Sequence, residues 1–187
     1  MKRAAWWETV GPVCSDDLVF VDESSATVRL TRLYARAPRN KRAVGRVPRN
    51  HGRATTLVTA LSPTGLQASH TRLGAFNGET FLGYVRDVLC PTLRPGQIVA
   101  LDNLSIHKGP EVRRAIEAAA CTLLVLPPYS PDFAPIELAF AQIKASLRAT
   151  AARTQEALES AIAAALLRVR ATDARHYFMH CGYSFAQ

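Results

Sequence analysis

Apolar residues fall first into short unbroken runs and later into helix-spaced stripes. Leu18-Val19-Phe20-Val21 is such a run closed by Asp22, the pattern of a buried strand over 18–22 that delivers a carboxylate to its end. Residues 36–53 are proline-rich and basic with weak periodicity, which reads as loop plus a poor strand. Strand-like runs over 55–61 and 66–73 flank Ser62-Pro63-Thr64-Gly65, so a hairpin is expected and the first three strands pair antiparallel. From Asn77, a suitable N-cap, Phe81, Leu82, Val85, Val88 and Leu89 recur at helical spacing until Pro91. A buried run over 97–101 again ends on a carboxylate, Asp102, and is followed by a helix over 109–120 and a strand over 121–126 closed by Pro127-Pro128. Pro135 suits a first helical position, Thr154 caps a further helix, and a last helix covers 172–180. The order βββαβαβα, with crossover helices in its second half, predicts an α/β fold. Its mixed five-stranded sheet is flanked by helices, with extra helices toward the C-terminus.

At 187 residues the chain suits one domain, taken as 18–187 with 1–17 as a lead-in. No apolar run approaches the roughly 20 residues that cross a bilayer, so no membrane partner is expected. The start, Met1-Lys2-Arg3-Ala4-Ala5-Trp6-Trp7-Glu8, lacks the apolar stretch of a secretory signal, and a cytoplasmic location is expected. Trp6 and Trp7 either anchor the chain end on the domain or join it to another. Cys14, Cys90, Cys121 and Cys181 stand too far apart for a CxxC zinc site and read as buried free thiols.

Charge sharpens this picture. The net charge is +8, and between Ser24 and Gly78 there is no acid but ten basic residues: Arg29, Arg32, Arg36, Arg39, Lys41, Arg42, Arg46, Arg49, Arg53 and Arg72. Runs of like charge are often only solvated. The functional reading is contact with nucleic-acid phosphates, for which Arg39, Lys41, Arg42, Arg46, Arg49 and Arg53 are the candidates.

In open α/β sheets ligands bind beyond the carboxyl ends of strands, so Asp22 and Asp102 point to one site. Asp16, Asp17 and Glu23 compete with Asp22 for that role. Hard divalent cations need two or three carboxylates, and Glu137, just inside the helix that begins near Pro135, supplies a third. On that helix Ile136, Phe140, Ile143 and Leu147 form the apolar stripe, while Glu137, Lys144 and Arg148 share another face. If that face opens on the site, Glu137 binds metal and the two cations hold phosphates. Two Mg²⁺ or Mn²⁺ ions would activate water and stabilise a leaving 3′ oxygen. Asn103 is a candidate to orient a metal-bound water, His107 to contact phosphate or support the site, and Lys108 to contact DNA. Tyr129 and Phe133 read as packing residues in preference to base-stacking ones, and His176 and His180 as structural, since Tyr177 stands where a metalloprotease motif needs Glu.

Three ordered motifs carry a family resemblance: Phe20-Val21-Asp22-Glu23-Ser24, Leu101-Asp102-Asn103-Leu104-Ser105-Ile106-His107-Lys108, and Pro127-Pro128-Tyr129-Ser130-Pro131-Asp132-Phe133-Ala134-Pro135-Ile136-Glu137. With 34 residues between Asp102 and Glu137, the chain resembles the bacterial insertion-sequence branch of the mariner-like DDE transposases over nearly its whole length. It departs from that pattern at Ala134, where an asparagine is expected, and at Ile106, where a small residue is. The resemblance implies an RNase H-like catalytic domain for cut-and-paste DNA transposition, with Asp22, Asp102 and Glu137 as catalytic and metal-binding acids. It further implies double-stranded DNA as partner, both element ends and a TA-containing target, and a homodimer in the bacterial nucleoid. Relatives carry an N-terminal helix-turn-helix region for end recognition. Nothing here resembles it, so it is expected to be absent or supplied by a separate N-terminal polypeptide. Two alternatives stand beside this reading: an RNase H-like nuclease that cuts without joining, and an inactive DNA-binding remnant.

Overall fold

The computed structural model describes residues 3–50 and 52–185. Leu18–Ala26 (β1), Thr55–Ser62 (β2) and Gly65–Leu73 (β3) pair antiparallel, while Ile98–Leu101 (β4) lies parallel to β1 and Thr122–Val125 (β5) parallel to β4. The sheet order is β3-β2-β1-β4-β5, the mixed RNase H-like arrangement expected. Six α-helices are present among the described residues: Arg3–Val10 (α1), Gly78–Tyr84 (α2), Pro110–Ala118 (α3), Pro135–Thr150 (α4), Gln155–Leu166 (α5) and Ala171–His180 (α6). Asn77 caps α2 through a reciprocal pair of bonds with Thr80, and the helix runs on as a π-turn, Val85–Leu89, before the Pro91-containing 3-10 turn. Thr154 caps α5 by accepting from the Ala157 amide.

Strand alternation divides the core in two. Leu18, Phe20, Leu57, Leu61 and Ala100 face α1, α4, α5 and α6; Val19, Val21, Val58, Val99 and Leu101 face α2 and α3. The expected stripe of Ile136, Phe140, Ile143 and Leu147 is the buried face of α4.

Three expectations are corrected. β1 continues four residues past Asp22, because Ser24, Ser25 and Ala26 keep pairing with β2 after the parallel ladder to β4 has ended at Val21–Leu101. The segment 36–53 contributes no strand among its described residues and runs outside the sheet as exposed coil. Of the four thiols only Cys121 and Cys181 are buried; Cys14 is exposed and Cys90 half-buried.

Residues 3–10 form a helix that the weak periodicity of that stretch did not announce. Trp6 is fully buried, its indole N–H donating to the Tyr183 hydroxyl at 3.1 Å, which in turn donates to the Phe133 carbonyl at 2.7 Å. Trp7 stacks edge-on against Phe133 and lies against Gly182, where φ of +94° favours glycine and an added Cβ would stand a tight 3.2 Å from a Trp7 ring atom. The two ends of the chain thus clamp the loop that leads into α4.

Candidate active site

The register of the parallel ladder places the first two acids. Val21 and Leu101 are its last pair, so Asp22 and Asp102 stand next to each other where the strands part. Both occupy the even-numbered face, that of Phe20 and Ala100, which is also the face α4 covers. Glu137 is the third residue of α4, and all three acids line one cavity of about 450 Å³. Asn103, Leu104, Ala134 and residues 127–131 complete its wall, and no lysine or arginine lines it among the described residues.

The loop carrying Glu137 to this position is fixed at several points. Arg3 forms a two-pronged bond to Asp132 at 2.9 and 2.6 Å, donates to the Ser130 hydroxyl at 3.0 Å, and lies 4.0 Å over the Phe133 ring. The Ser130 hydroxyl donates to the Pro128 carbonyl at 3.2 Å. Phe133 packs into the core as expected. Tyr129 does the opposite: it is 99% exposed and holds a left-handed backbone at φ +54°.

Each strand acid has one oxygen tied down. Asp22 Oδ1 accepts the Glu23 amide at 2.7 Å, and Asp102 Oδ1 accepts both the Leu104 amide at 2.9 Å and His107 Nδ1 at 2.5 Å. Neither Oδ2 carries a hydrogen bond among the described residues. Burial, outweighing the Glu23 amide bond, and repulsion from Glu137 and Asp102 push the Asp22 carboxyl up to about 7. Burial also acts to raise the Asp102 carboxyl, but bonds from His107 and the Leu104 amide overcome it and hold that group below its ordinary value. His107 is raised to about 9: burial opposes its charge, yet Asp102 on one nitrogen and Glu23 Oε1, 3.4 Å from the other, favour the imidazolium more strongly.

The His107 side chain has no exposure and sits between Asp102 and Glu23, so it is not open to a phosphate in this structure. Sequence reasoning weighed Glu23 only as a rival to Asp22. Strand alternation was the available signal, for it sends Glu23 to the opposite face, where His107 lies. Lys144 also departs from expectation: it lines a separate small cleft with Ser24, Ser25 and Ala26, two helical turns or roughly 10 Å along α4 from Glu137. Neither Lys144 nor the half-buried Arg148 lines the cavity, whereas Asn103 does. Arg39, Lys41, Arg42, Arg46, Arg49, Arg53 and Lys108 are all exposed. Arg72 is not part of that open set, being bonded to the Thr80 hydroxyl at 2.7 Å.

Among the described residues no three acidic, thiol or imidazole side chains stand close enough together to hold a metal ion as they are placed here. The donor set nevertheless fits a hard divalent cation of the Mg²⁺ type, which keeps several waters and takes one or two carboxylates plus substrate oxygens. A raised carboxyl beside two further acids, with no cation in the wall, is the electrostatic environment such an ion would relieve.

The fold is shared with solved structures of Mos1 transposase. It superposes on the Mos1 mariner paired-end complex with Mn at a TM-score of 0.73 and 16% identity, covering 95% of this chain and 56% of that one. The paired-end complex with the left transposon end gives 0.72 and 16%, covering 95% and 55%. The isolated Mos1 mariner catalytic domain gives 0.65 and 16%, covering 95% and 80%. The chain thus spans about half the length of the Mos1 chains in those complexes. No curated protein sequence matches it. Residues 17–159, which hold all three acids and the sheet that brings two of them together, match the family model for DDE superfamily endonucleases, and the chain belongs to that family.

Proposed function

We propose that this chain is the catalytic domain of a cut-and-paste transposase of the bacterial insertion-sequence branch, with Asp22, Asp102 and Glu137 as its metal-binding acids. The observation that carries the reading is that these three acids line one cavity, two from the point where β1 and β4 part and one from α4, in a DDE endonuclease fold. Asp22 Oδ2, Asp102 Oδ2 and the Glu137 carboxylate are the oxygens that would hold divalent cations. Mg²⁺ or Mn²⁺ bound there, as two ions, supplies an activated water and charge stabilisation for the departing oxygen.

In the first reaction water adds to a phosphodiester, the bond to the 3′ oxygen breaks, and the products are a 3′-hydroxyl and a 5′-phosphate. In the second the freed 3′-hydroxyl attacks a target phosphodiester, joining the element to new DNA while displacing another 3′ oxygen. The acids position the reacting groups and hold charge, Asn103 at the cavity wall orients water, and no covalent enzyme intermediate is needed. The basic residues Arg39, Lys41, Arg42, Arg46, Arg49 and Arg53 grip double-stranded DNA phosphates from the coil between β1 and β2, and Lys108 does so beside the site. TA-containing targets, a homodimer and a separate end-recognising polypeptide complete this reading, as does a place in the bacterial nucleoid. No helix among the described residues is long and apolar enough to cross a membrane.

The test is an integration assay with element-end DNA and supercoiled plasmid in Mn²⁺. Joined product that disappears in Asp102→Asn, with DNA binding retained, is the expected result. Nicking without joining would reduce the protein to a nuclease, and activity surviving in Asp102→Asn would overturn the metal assignment.

A further inference from the structure

Behind the acids, on the other face of the sheet, lies a carboxylate that the cleavage chemistry does not use. Alternation along β1 turns Asp22 toward α4 and Glu23 toward α2. His107 enters this region from the 3-10 turn Ser105–Lys108 and is fully enclosed, with its ring 4.3 Å from that of Phe81. Its Nδ1 meets Asp102 Oδ1 at 2.5 Å and its Nε2 meets Glu23 Oε1 at 3.4 Å. The chain thus links Glu23 of β1, His107 of the 3-10 turn and Asp102, the residue after β4, into one line of hydrogen bonds.

We propose that Glu23 is a positioning residue for the metal site, acting through His107 to fix the Asp102 side chain so that Oδ1 turns inward and Oδ2 is presented to a divalent cation. This rests on the reading of Asp102 as a metal ligand. A carboxylate free to rotate offers either oxygen, and the freedom must be given up when the ion binds. Here Oδ1 already accepts two hydrogen bonds, from His107 and from the Leu104 amide, so the rotation is halted before any ion arrives. A histidine with one partner could still swing in its cage. Engaging both ring nitrogens fixes the ring plane, and the second anchor is Glu23. Its setting supports a specific role: Glu23 is only 17% exposed and stands near Tyr84, a buried residue whose hydroxyl has no hydrogen-bond partner among the described residues. A carboxylate so placed is costly unless paired, and His107 is its pair.

The experiment measures Mn²⁺ binding to the metal-free protein by the electron paramagnetic resonance of free Mn²⁺, without DNA or turnover. Four variants are compared with the parent: Asp102→Asn, Glu23→Gln, His107→Leu, and Glu23→Gln combined with His107→Leu. Asp102→Asn should lose binding, Glu23→Gln should weaken it by about 10-fold, and His107→Leu by about 10- to 100-fold. Because Glu23 acts through His107, the double variant should bind no more weakly than His107→Leu alone. Where His107→Leu does not fold, His107→Asn replaces it. Its amide can donate to Asp102 without reaching Glu23, so adding Glu23→Gln should change nothing. Parent-like binding in Glu23→Gln, with binding lost in Asp102→Asn, overturns the positioning role and leaves the metal site standing. Parent-like binding in Asp102→Asn removes both. A double variant that loses the product of the two single effects shows Glu23 acting independently of His107 and also overturns the proposal.

Discussion

Asp22 and His107 are both raised, one by burial beside two acids and the other by its two carboxylate partners, and they titrate over different pH intervals. Asp22 is buried beside two acids and is raised from 3.8 to about 7, so the metal-free fold loses stability as pH rises from about 4 to 7. His107 is raised from 6.5 to about 9, so its contribution is complete below pH 6.5 and is lost as pH rises through 9. Between pH 5 and 6.5 the change therefore belongs to Asp22. Thermal melts in EDTA across that interval should show a falling midpoint in the parent and a flatter profile in Asp22→Asn; equal slopes would refute the assignment. Tyr129 offers a second test at this scale. Its left-handed backbone is a strain for a bulky side chain, and its exposed ring makes no packing contribution. Tyr129→Gly should be at least as stable as the parent in urea denaturation. If the ring stacks on a base at the cavity mouth, the same variant should lose about 1–3 kcal/mol of affinity for DNA with an unpaired base near the cut, read by fluorescence anisotropy.

Helix α4 begins without a side-chain cap: Ala134 occupies the N-cap position at φ −105°, ψ 95° and bonds no amide through its side chain. Asparagine is the residue that the family resemblance led us to expect there, and Ala134 borders the cavity, which leaves room for it. Ala134→Asn should therefore stabilise the protein by about 1 kcal/mol, measured as a shift in the urea midpoint at constant slope. The coil between β1 and β2 is tested through electrostatics instead. Arg153 pins its start by donating to the Val28 and Leu30 carbonyls at 2.9 and 3.0 Å, while the basic residues beyond remain exposed. Replacing Arg39, Lys41 and Arg42 by alanine should weaken DNA binding and reduce the slope of log affinity against log salt by about 0.9 for each phosphate that is no longer neutralised. An unchanged slope would make the segment a solvated loop.

For the molecule as a whole, folding is expected to proceed without a metal ion. The core is built on both sheet faces from apolar side chains and the clamp of Trp6, Tyr183 and Phe133, none of which involves the acids. Chelation should leave the melting transition cooperative. Added Mn²⁺ should raise its midpoint more at pH 8 than at pH 5, where the ion must displace the Asp22 proton; a fold that collapsed in EDTA would show the site to be structural. Much of this was legible in the residues themselves. Period-two and period-3.6 patterns, prolines and caps announced five strands and the helices from α2 onward, because such signals depend on neighbours a few positions apart. The same locality read Asp22 and Asp102 as following apolar strand runs and charged the coil between β1 and β2, whereas the pairing of β1 with β4 that sets the two acids side by side is a long-range contact. What the tertiary structure alone decided was the fate of single side chains: Trp6 drawn into the core by Tyr183, His107 enclosed between Glu23 and Asp102, Tyr129 turned to solvent, Lys144 placed away from the cavity. Those outcomes depend on partners as far apart as 84 and 177 positions, and no local pattern records a pairing that exists only once the chain has closed on itself.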